Sequence, residues 1–208
     1  MALKIYGRRS SANVQKVVWI CCEGGLKFET ENFGGKYGGN ESDEFKSMNP
    51  NGRIPVLKDN DFILYESNSI IKYLTRQYKI FDLGNIKKEA LINQWIDWSS
   101  YTLGAPCSVL TAHSVSLPSE LRNTDKVIES KKEIRQLLKI LNYQLLINDY
   151  VAGKEFTLAD IPAGCWINRC KKLDVDMSDF NGIIKWLERL NNRTAFKFAV
   201  VSAPMPPN

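Results

Sequence analysis

The spacing of apolar and polar positions changes character near residue 80. Before it, apolar residues come in short runs cut by turn signals; after it, they recur every three or four positions over long stretches. Leu3 and Ile5 alternate with polar neighbours and stop at Gly7, which predicts a first strand. Val14, Val17, Val18 and Ile20–Cys21 follow at helical spacing, with Gly24-Gly25 as the stop. Phe28–Phe33 returns to period two, so the opening unit is βαβ, which implies parallel strands and a right-handed crossover. A glycine-rich loop over Phe33–Gly39, a short helix over Asp43–Met48 and the turn Asn49-Pro50-Asn51-Gly52 come next. Ile54–Leu57 and Phe62–Leu64 flank the polar turn Asp59-Asn60-Asp61 and predict a hairpin. Ser67–Tyr78, with Ile70, Ile71 and Leu74, predicts a helix that Ser67 caps. The order up to residue 80 is β-α-β-α-β-β-α.

From Ile86 the pattern is helical. Ile86–Ala112 is interrupted only by Gly104-Ala105-Pro106, and Val127–Tyr150 repeats Ile128, Ile134, Leu137, Leu138, Leu141 and Leu145 in amphipathic register. Phe156-Thr157-Leu158-Ala159-Asp160 sets an acid three places after a threonine, a variant of the capping box, ahead of helices over Ile161–Lys172 and Ile183–Asn191. The pattern predicts an α/β domain over 1–80 and an all-helical domain over 86–208, closing on a Pro-rich tail, Ala203–Asn208.

A chain of 208 residues, 44% hydrophobic and 25% charged, is long enough to bury a core without staples and is not disordered by composition. No apolar run reaches the roughly 18–20 residues of a membrane-spanning helix. MALKIYGRRSS lacks the apolar stretch of a secretory signal, so a cytoplasmic location is expected. The net charge of +5 is spread over both parts of the chain and forms no stripe, which argues against a nucleic-acid partner. Five cysteines, Cys21, Cys22, Cys107, Cys165 and Cys170, contain no C-x-x-C pair, so buried reduced thiols are expected rather than a disulfide framework, a metal site or a dithiol centre. The single histidine, His113, has no clustered ligand partners and there is no G-x-S-x-G elbow.

Candidate chemistry gathers where predicted strands hand over to helices. Pro55 sits inside a strand-like run, where proline needs a special reason: a cis Ile54-Pro55 bond would offer the Ile54 backbone to an extended ligand, while a trans edge proline is the plain alternative. Glu66-Ser67 suits an α-amino-acid head, with carboxylate on Ser67 and the helix N-terminus and amine on Glu66; Ser67 as a simple cap is the alternative. Ser10-Ser11-Ala12-Asn13 places hydroxyls at the start of the first helix, where one could hydrogen-bond a thiolate or merely cap. Lys36 lies in a flexible loop within reach of a ligand carboxylate, or simply on the surface.

These residues fall in stretches that resemble the cytosolic glutathione S-transferases over nearly the whole chain: YGRRSSANVQKVVW, NFGGKYGG, FKSMNPNGRIPVLKD, FILYESNSIIKYL and FTLAD-IP. The likeness is strongest to bacterial serine-type members related to the theta and phi classes. It implies an α/β thioredoxin-like N-terminal domain that binds glutathione and an all-α C-terminal domain, paired as a homodimer, and it makes a cis Ile54-Pro55 bond expected. It places the thiol-activating hydroxyl at Ser11, with Asn13 assisting. Gln15 stands where related classes usually carry arginine. Ile54, flanked by Arg53 and Pro55, would pair with the cysteinyl backbone of glutathione; Glu66 and Ser67 would hold its γ-glutamyl end and Lys36 its glycyl carboxylate. Trp98, Tyr101 and Thr102 are the residues expected to line an apolar pocket for the electrophile between the domains. The implied reaction is conjugation of the glutathione thiolate, used as co-substrate without a metal, to small hydrophobic electrophiles. A glutathione-dependent peroxidase or disulfide reductase, or a non-catalytic glutathione-binding module, remain the alternatives. No nucleic-acid or membrane partner is expected.

Overall fold

The computed structural model describes residues 3–206 and divides into two compact units. The first comprises residues up to Asp82 together with Ala195–Pro206, and the second runs from Leu83 to Thr194.

In the first unit, strands β1 (Leu3–Tyr6), β2 (Phe28–Glu31), β3 (Val56–Asp59) and β4 (Phe62–Tyr65) form one sheet in the order β2-β1-β3-β4. β1 runs parallel to β2 across the helix α1 (Ala12–Glu23), as a βαβ unit requires, while β3 pairs antiparallel with both β1 and β4. α1 ends as Gly24-Gly25 predicts. Gly25 takes φ +61, its N–H donates to the Cys22 carbonyl, and the Leu26 N–H reaches back to Cys21. The helices α2 (Asp43–Met48) and α3 (Ser67–Gln77) complete the β-α-β-α-β-β-α order. α1 is buried on nearly all sides: Val14, Val17, Val18, Trp19 and Ile20 are closed from solvent with Ile5, Leu57, Ile70, Ile71 and Leu74.

One part of that core comes from the far end of the chain. Lys197–Val201 packs on α1, Phe196, Ala199 and Val200 are buried, and the Phe196 ring lies 4.8 Å from that of Trp19. The apolar pattern of 195–206 reads as a continuation of the helical part, but by contact this segment belongs to the first unit. Of the Pro-rich tail, Pro207 and Asn208 lie outside the described residues.

The second unit is helical: α4 (Ile86–Asp97), α5 (Gly104–Thr111), α6 (Thr124–Ile147), α7 (Asp160–Lys172) and α8 (Asn181–Asn191). The interruption expected at Gly104-Ala105-Pro106 is absent. Gly104 has helical angles (φ −66°, ψ −30°), and α4 continues into α5 through a π-wound stretch, Trp98–Leu103. That wider i→i+5 winding accommodates Pro106, which has no N–H to give. Gly104 is there for packing: a Cβ would come 3.0 Å from the indole nitrogen of Trp166. In α6, Ile134, Leu138, Leu141 and Leu145 are buried as the register predicts, whereas Ile128 is exposed. Trp166 and Trp186 are core residues.

The FTLAD box forms. Asp160 is fully buried and accepts from the Val151 N–H (2.9 Å), the Thr157 N–H (2.8 Å) and the Trp186 indole (2.9 Å), while Thr157 accepts from the Ala159 N–H. Burial pushes the Asp160 carboxyl up to about 6, against these donors, which pull it down. The five cysteines are free and four of them buried, Cys22 being the half-buried one. His113 accepts from the Asn123 N–H, a structural contact.

Candidate functional site

At the end of β1 the backbone needs a glycine. Gly7 has φ +148, and a Cβ there would lie 2.7 Å from Val14 Cγ2 and 3.1 Å from Ile54 Cβ. Its absence lets β1, α1 and the 53–55 loop meet at one point. The next four residues form a turn closed by the Ser11 N–H donating to the Arg8 carbonyl (3.1 Å). Ser11 occupies the N-cap position of α1 with extended angles, yet its hydroxyl caps nothing and makes no hydrogen bond among the described residues. It therefore stands uncommitted beside the first-turn N–H groups of a helix, where the local field favours an anion. Ser10, by contrast, is 4% exposed.

A polar cavity of about 120 Å³ opens nearby, lined by Asn13, Asn49, Arg53, Ile54, Pro55, Glu66 and Ser67. The Ile54-Pro55 peptide is cis. The β1–β3 ladder ends at Tyr6 and Val56, so the Ile54 peptide groups lie beyond it and are not taken up by the sheet. Asn49, 2% exposed, shapes the loop: its amide donates to the Arg53 carbonyl (2.7 Å) and its oxygen accepts from the Asn51 N–H.

Ser67 does not cap α3; it is that helix's first residue, and Glu66 holds the cap position at φ +70 without a side-chain cap. A non-glycine residue at such an angle costs of order 1–3 kcal/mol and is held there by its surroundings. The backbone turn frees the Ser67 hydroxyl from its own helix, and it donates instead to Asn13 Oδ1 (3.3 Å). Behind it lies Lys16, 1% exposed, whose ammonium donates to Ser67 Oγ (3.5 Å) and Asn68 Oδ1 (3.4 Å). Glu66 itself is exposed and is one of the residues lining the cavity.

The structure thus gathers six of the residues singled out from sequence, Asn13, Arg53, Ile54, Pro55, Glu66 and Ser67, on one cavity, with Ser11 two residues from Asn13 at the start of the same helix. Lys36 is not among them: it is exposed on the Gly35–Tyr37 turn, its ammonium over the Tyr37 ring. In the second unit, Tyr101 and Thr102 are exposed on the π-wound stretch and Trp98 is half-buried against Trp95, ring centroids 5.2 Å apart. Sequence reasoning missed Asn49, which lines the cavity, and Lys16, which lies behind it. Lys16 carries a signal in hindsight, a lone lysine on the apolar side of α1 one turn after Asn13. No group of acidic, histidine or cysteine side chains suited to a metal ion occurs among the described residues, nor any helix long and apolar enough to cross a membrane.

Comparison with known proteins shows the family to which the chain belongs. Residues 5–82 match the family model of the glutathione S-transferase N-terminal domain and residues 106–194 that of the C-terminal domain. The chain is 30% identical to glutathione S-transferase GstB of Escherichia coli K12, over 96% of this chain and 98% of that protein. It is 26% identical to glutathione S-transferase F12 of Arabidopsis thaliana, over 98% and 99%. Among solved structures, a theta-class glutathione S-transferase from Xanthomonas axonopodis pv. citri with glutathione bound superposes with a TM-score of 0.91 at 30% identity, covering 97% of this chain and 98% of that one.

Proposed function

Because the chain belongs to the glutathione S-transferase family, we propose that it binds glutathione in the first-unit cavity and conjugates the glutathione thiolate to small hydrophobic electrophiles. The observation that carries this reading is the Ser11 hydroxyl, uncommitted at the positive end of α1. A hydroxyl donor and a helix N-terminus both favour a thiolate over a thiol, whose free value is about 8.5. Glutathione would lie extended along the 53–55 loop. Its cysteinyl backbone pairs with Ile54, beside Arg53 and Pro55, and its γ-glutamyl carboxylate meets Ser67, which Asn13 and Lys16 hold in place. The γ-glutamyl amine meets Glu66, and Lys36 reaches the glycyl carboxylate from its loop. A homodimer is part of the proposal, supported by the edge strand β4, which leaves Phe62, Ile63 and Tyr65 exposed.

In the reaction the thiol proton passes to solvent as glutathione binds, and the sulfur lone pair attacks an electrophilic carbon. With an aryl halide the C–S bond forms, the C–halogen bond breaks and halide leaves with the bonding pair. Ser11 donates to the sulfur throughout and is never alkylated or acylated. Trp98, Tyr101 and Thr102 are assigned to contact with the acceptor.

The test is conjugation of 1-chloro-2,4-dinitrobenzene run beside reduction of cumene hydroperoxide. We expect conjugation that falls at least tenfold in Ser11→Ala. Reduction of the hydroperoxide without conjugation would overturn the transferase reading in favour of a peroxidase.

A further inference from the structure

Two arginines follow Gly7, and the fold treats them differently. Arg9 is committed: its guanidinium donates to the Phe198 carbonyl and lies 4.3 Å from the centre of the Phe198 ring, while its own carbonyl accepts from the Gln15 amide. Arg8 is not. Its side chain is half-buried, its Nε is closed from solvent without a hydrogen-bond partner, and no ion pair or side-chain hydrogen bond involves it among the described residues. Burial pulls its guanidinium below the usual arginine range, the mark of a cation taken from water with nothing given in return.

The space it occupies is made for it. Gly34 and Gly35 both take positive φ (+74 and +58), and a Cβ on either would come within 2.9 Å of the Arg8 guanidinium group. The same Gly34 position lies 3.5 Å from Ile54 Cδ1, so the guanidinium sits beside the side chain of a cavity-lining residue. Arg8 also opens the turn that Ser11 closes, which keeps the two Cα atoms within about 7 Å. An unpaired, partly desolvated guanidinium at that position lacks only an anion, and arginine's planar fork matches a carboxylate with two parallel hydrogen bonds.

Resting on the glutathione reading above, we propose that Arg8 is a binding site for an anionic group on the acceptor, so that this transferase prefers electrophiles carrying a carboxylate near the reacting carbon. The anion is assigned to the acceptor because both carboxylates of glutathione already have other partners in that reading, Ser67 for one and Lys36 for the other. Its thiol end, the part nearest Ser11, carries no carboxylate.

The test compares binding of S-(4-carboxybenzyl)glutathione and S-benzylglutathione by titration calorimetry in wild type, Arg8→Met and Arg8→Lys, with free glutathione as a control. Wild type is expected to bind the carboxylated conjugate about tenfold more tightly than the neutral one, the scale of one charge-assisted pair near a surface. Arg8→Met removes that preference while leaving affinity for glutathione within twofold, and Arg8→Lys restores part of it. Equal affinities in wild type overturn the proposal. So does a loss in Arg8→Met shared equally by both conjugates and by glutathione, which marks a packing role, or a bound-thiol pKa that rises in Arg8→Met, which makes Arg8 a partner of the sulfur. Wild type that binds neither conjugate nor glutathione refutes the glutathione reading itself, and the acceptor proposal with it.

Discussion

At the scale of single residues, the first unit concentrates its unfavourable features around one small cavity. Glu66 holds a strained φ of +70 and Lys16 is a buried lysine whose ammonium donates to Ser67 and Asn68, and both touch the chemistry assigned to the γ-glutamyl end. Glycine takes such an angle freely, so Glu66→Gly is expected to keep stability or raise it by about 1 kcal/mol in urea denaturation. The same variant should weaken glutathione binding at least tenfold by calorimetry. A stability loss with unchanged affinity would contradict the role given to the carboxylate. Lys16→Met keeps length and apolar body but leaves Ser67 Oγ and Asn68 Oδ1 without this donor, at a cost of roughly 1–3 kcal/mol in the same denaturation experiment. A second expectation for Lys16→Met is weaker glutathione binding, because Ser67 loses the group that orients it.

At the scale of elements, the Asp160 box shows how local sequence and burial combine. Thr157 and Asp160 would cap any helix start, but here the box lies in the core, joined to Val151 and to Trp186 of α8. The Asp160 proton is held up to about 6 in the fold against 3.8 for an ordinary carboxyl. The folded state therefore binds this proton more tightly than the unfolded chain does, and the group's contribution to stability is whole below about pH 4 and is lost as pH rises through about 6. Asp160→Asn, which turns an amide N–H toward N–H donors, should be destabilising by roughly 1–3 kcal/mol. Its deficit against wild type should be widest near pH 4 and narrow by pH 7, as measured by urea unfolding across that range; a deficit that widens with pH would contradict the assignment. Elements were legible wherever a pattern and a stop signal coincided, as in α1 with its two glycines and α2 with the Asn49-Pro50-Asn51-Gly52 turn after it. They were misread where tertiary packing decides: Gly104-Ala105-Pro106 looks like a break, and only the indole of Trp166 and a π-wound turn explain why it is helix. Ser67 looks like a cap, and only the positive φ of Glu66 shows why its hydroxyl faces Asn13 instead.

At the scale of the whole molecule, the first unit is assembled from both ends of the chain, which no local pattern announces. Phe196 fills the core beside Trp19, so Phe196→Ala should cost about 3–5 kcal/mol, a cavity penalty read by urea unfolding. A cost under about 1 kcal/mol would remove 195–206 from that core. The cavity-lining residues were legible because Asn13, Glu66 and Ser67 stand at strand-to-helix junctions and Pro55 interrupts a strand-like run. Arg8 and Lys16 were not, since the burial of a charged side chain becomes visible only once its surroundings are known. The account stands on the claim that Ser11 and the start of α1 hold glutathione as a thiolate. Ultraviolet titration of the bound thiolate against pH tests it: wild type should show a thiol pKa well below the free value of about 8.5, and Ser11→Ala should return it toward that value. Identical curves for the two proteins would contradict the claim and transfer the role to Asn13.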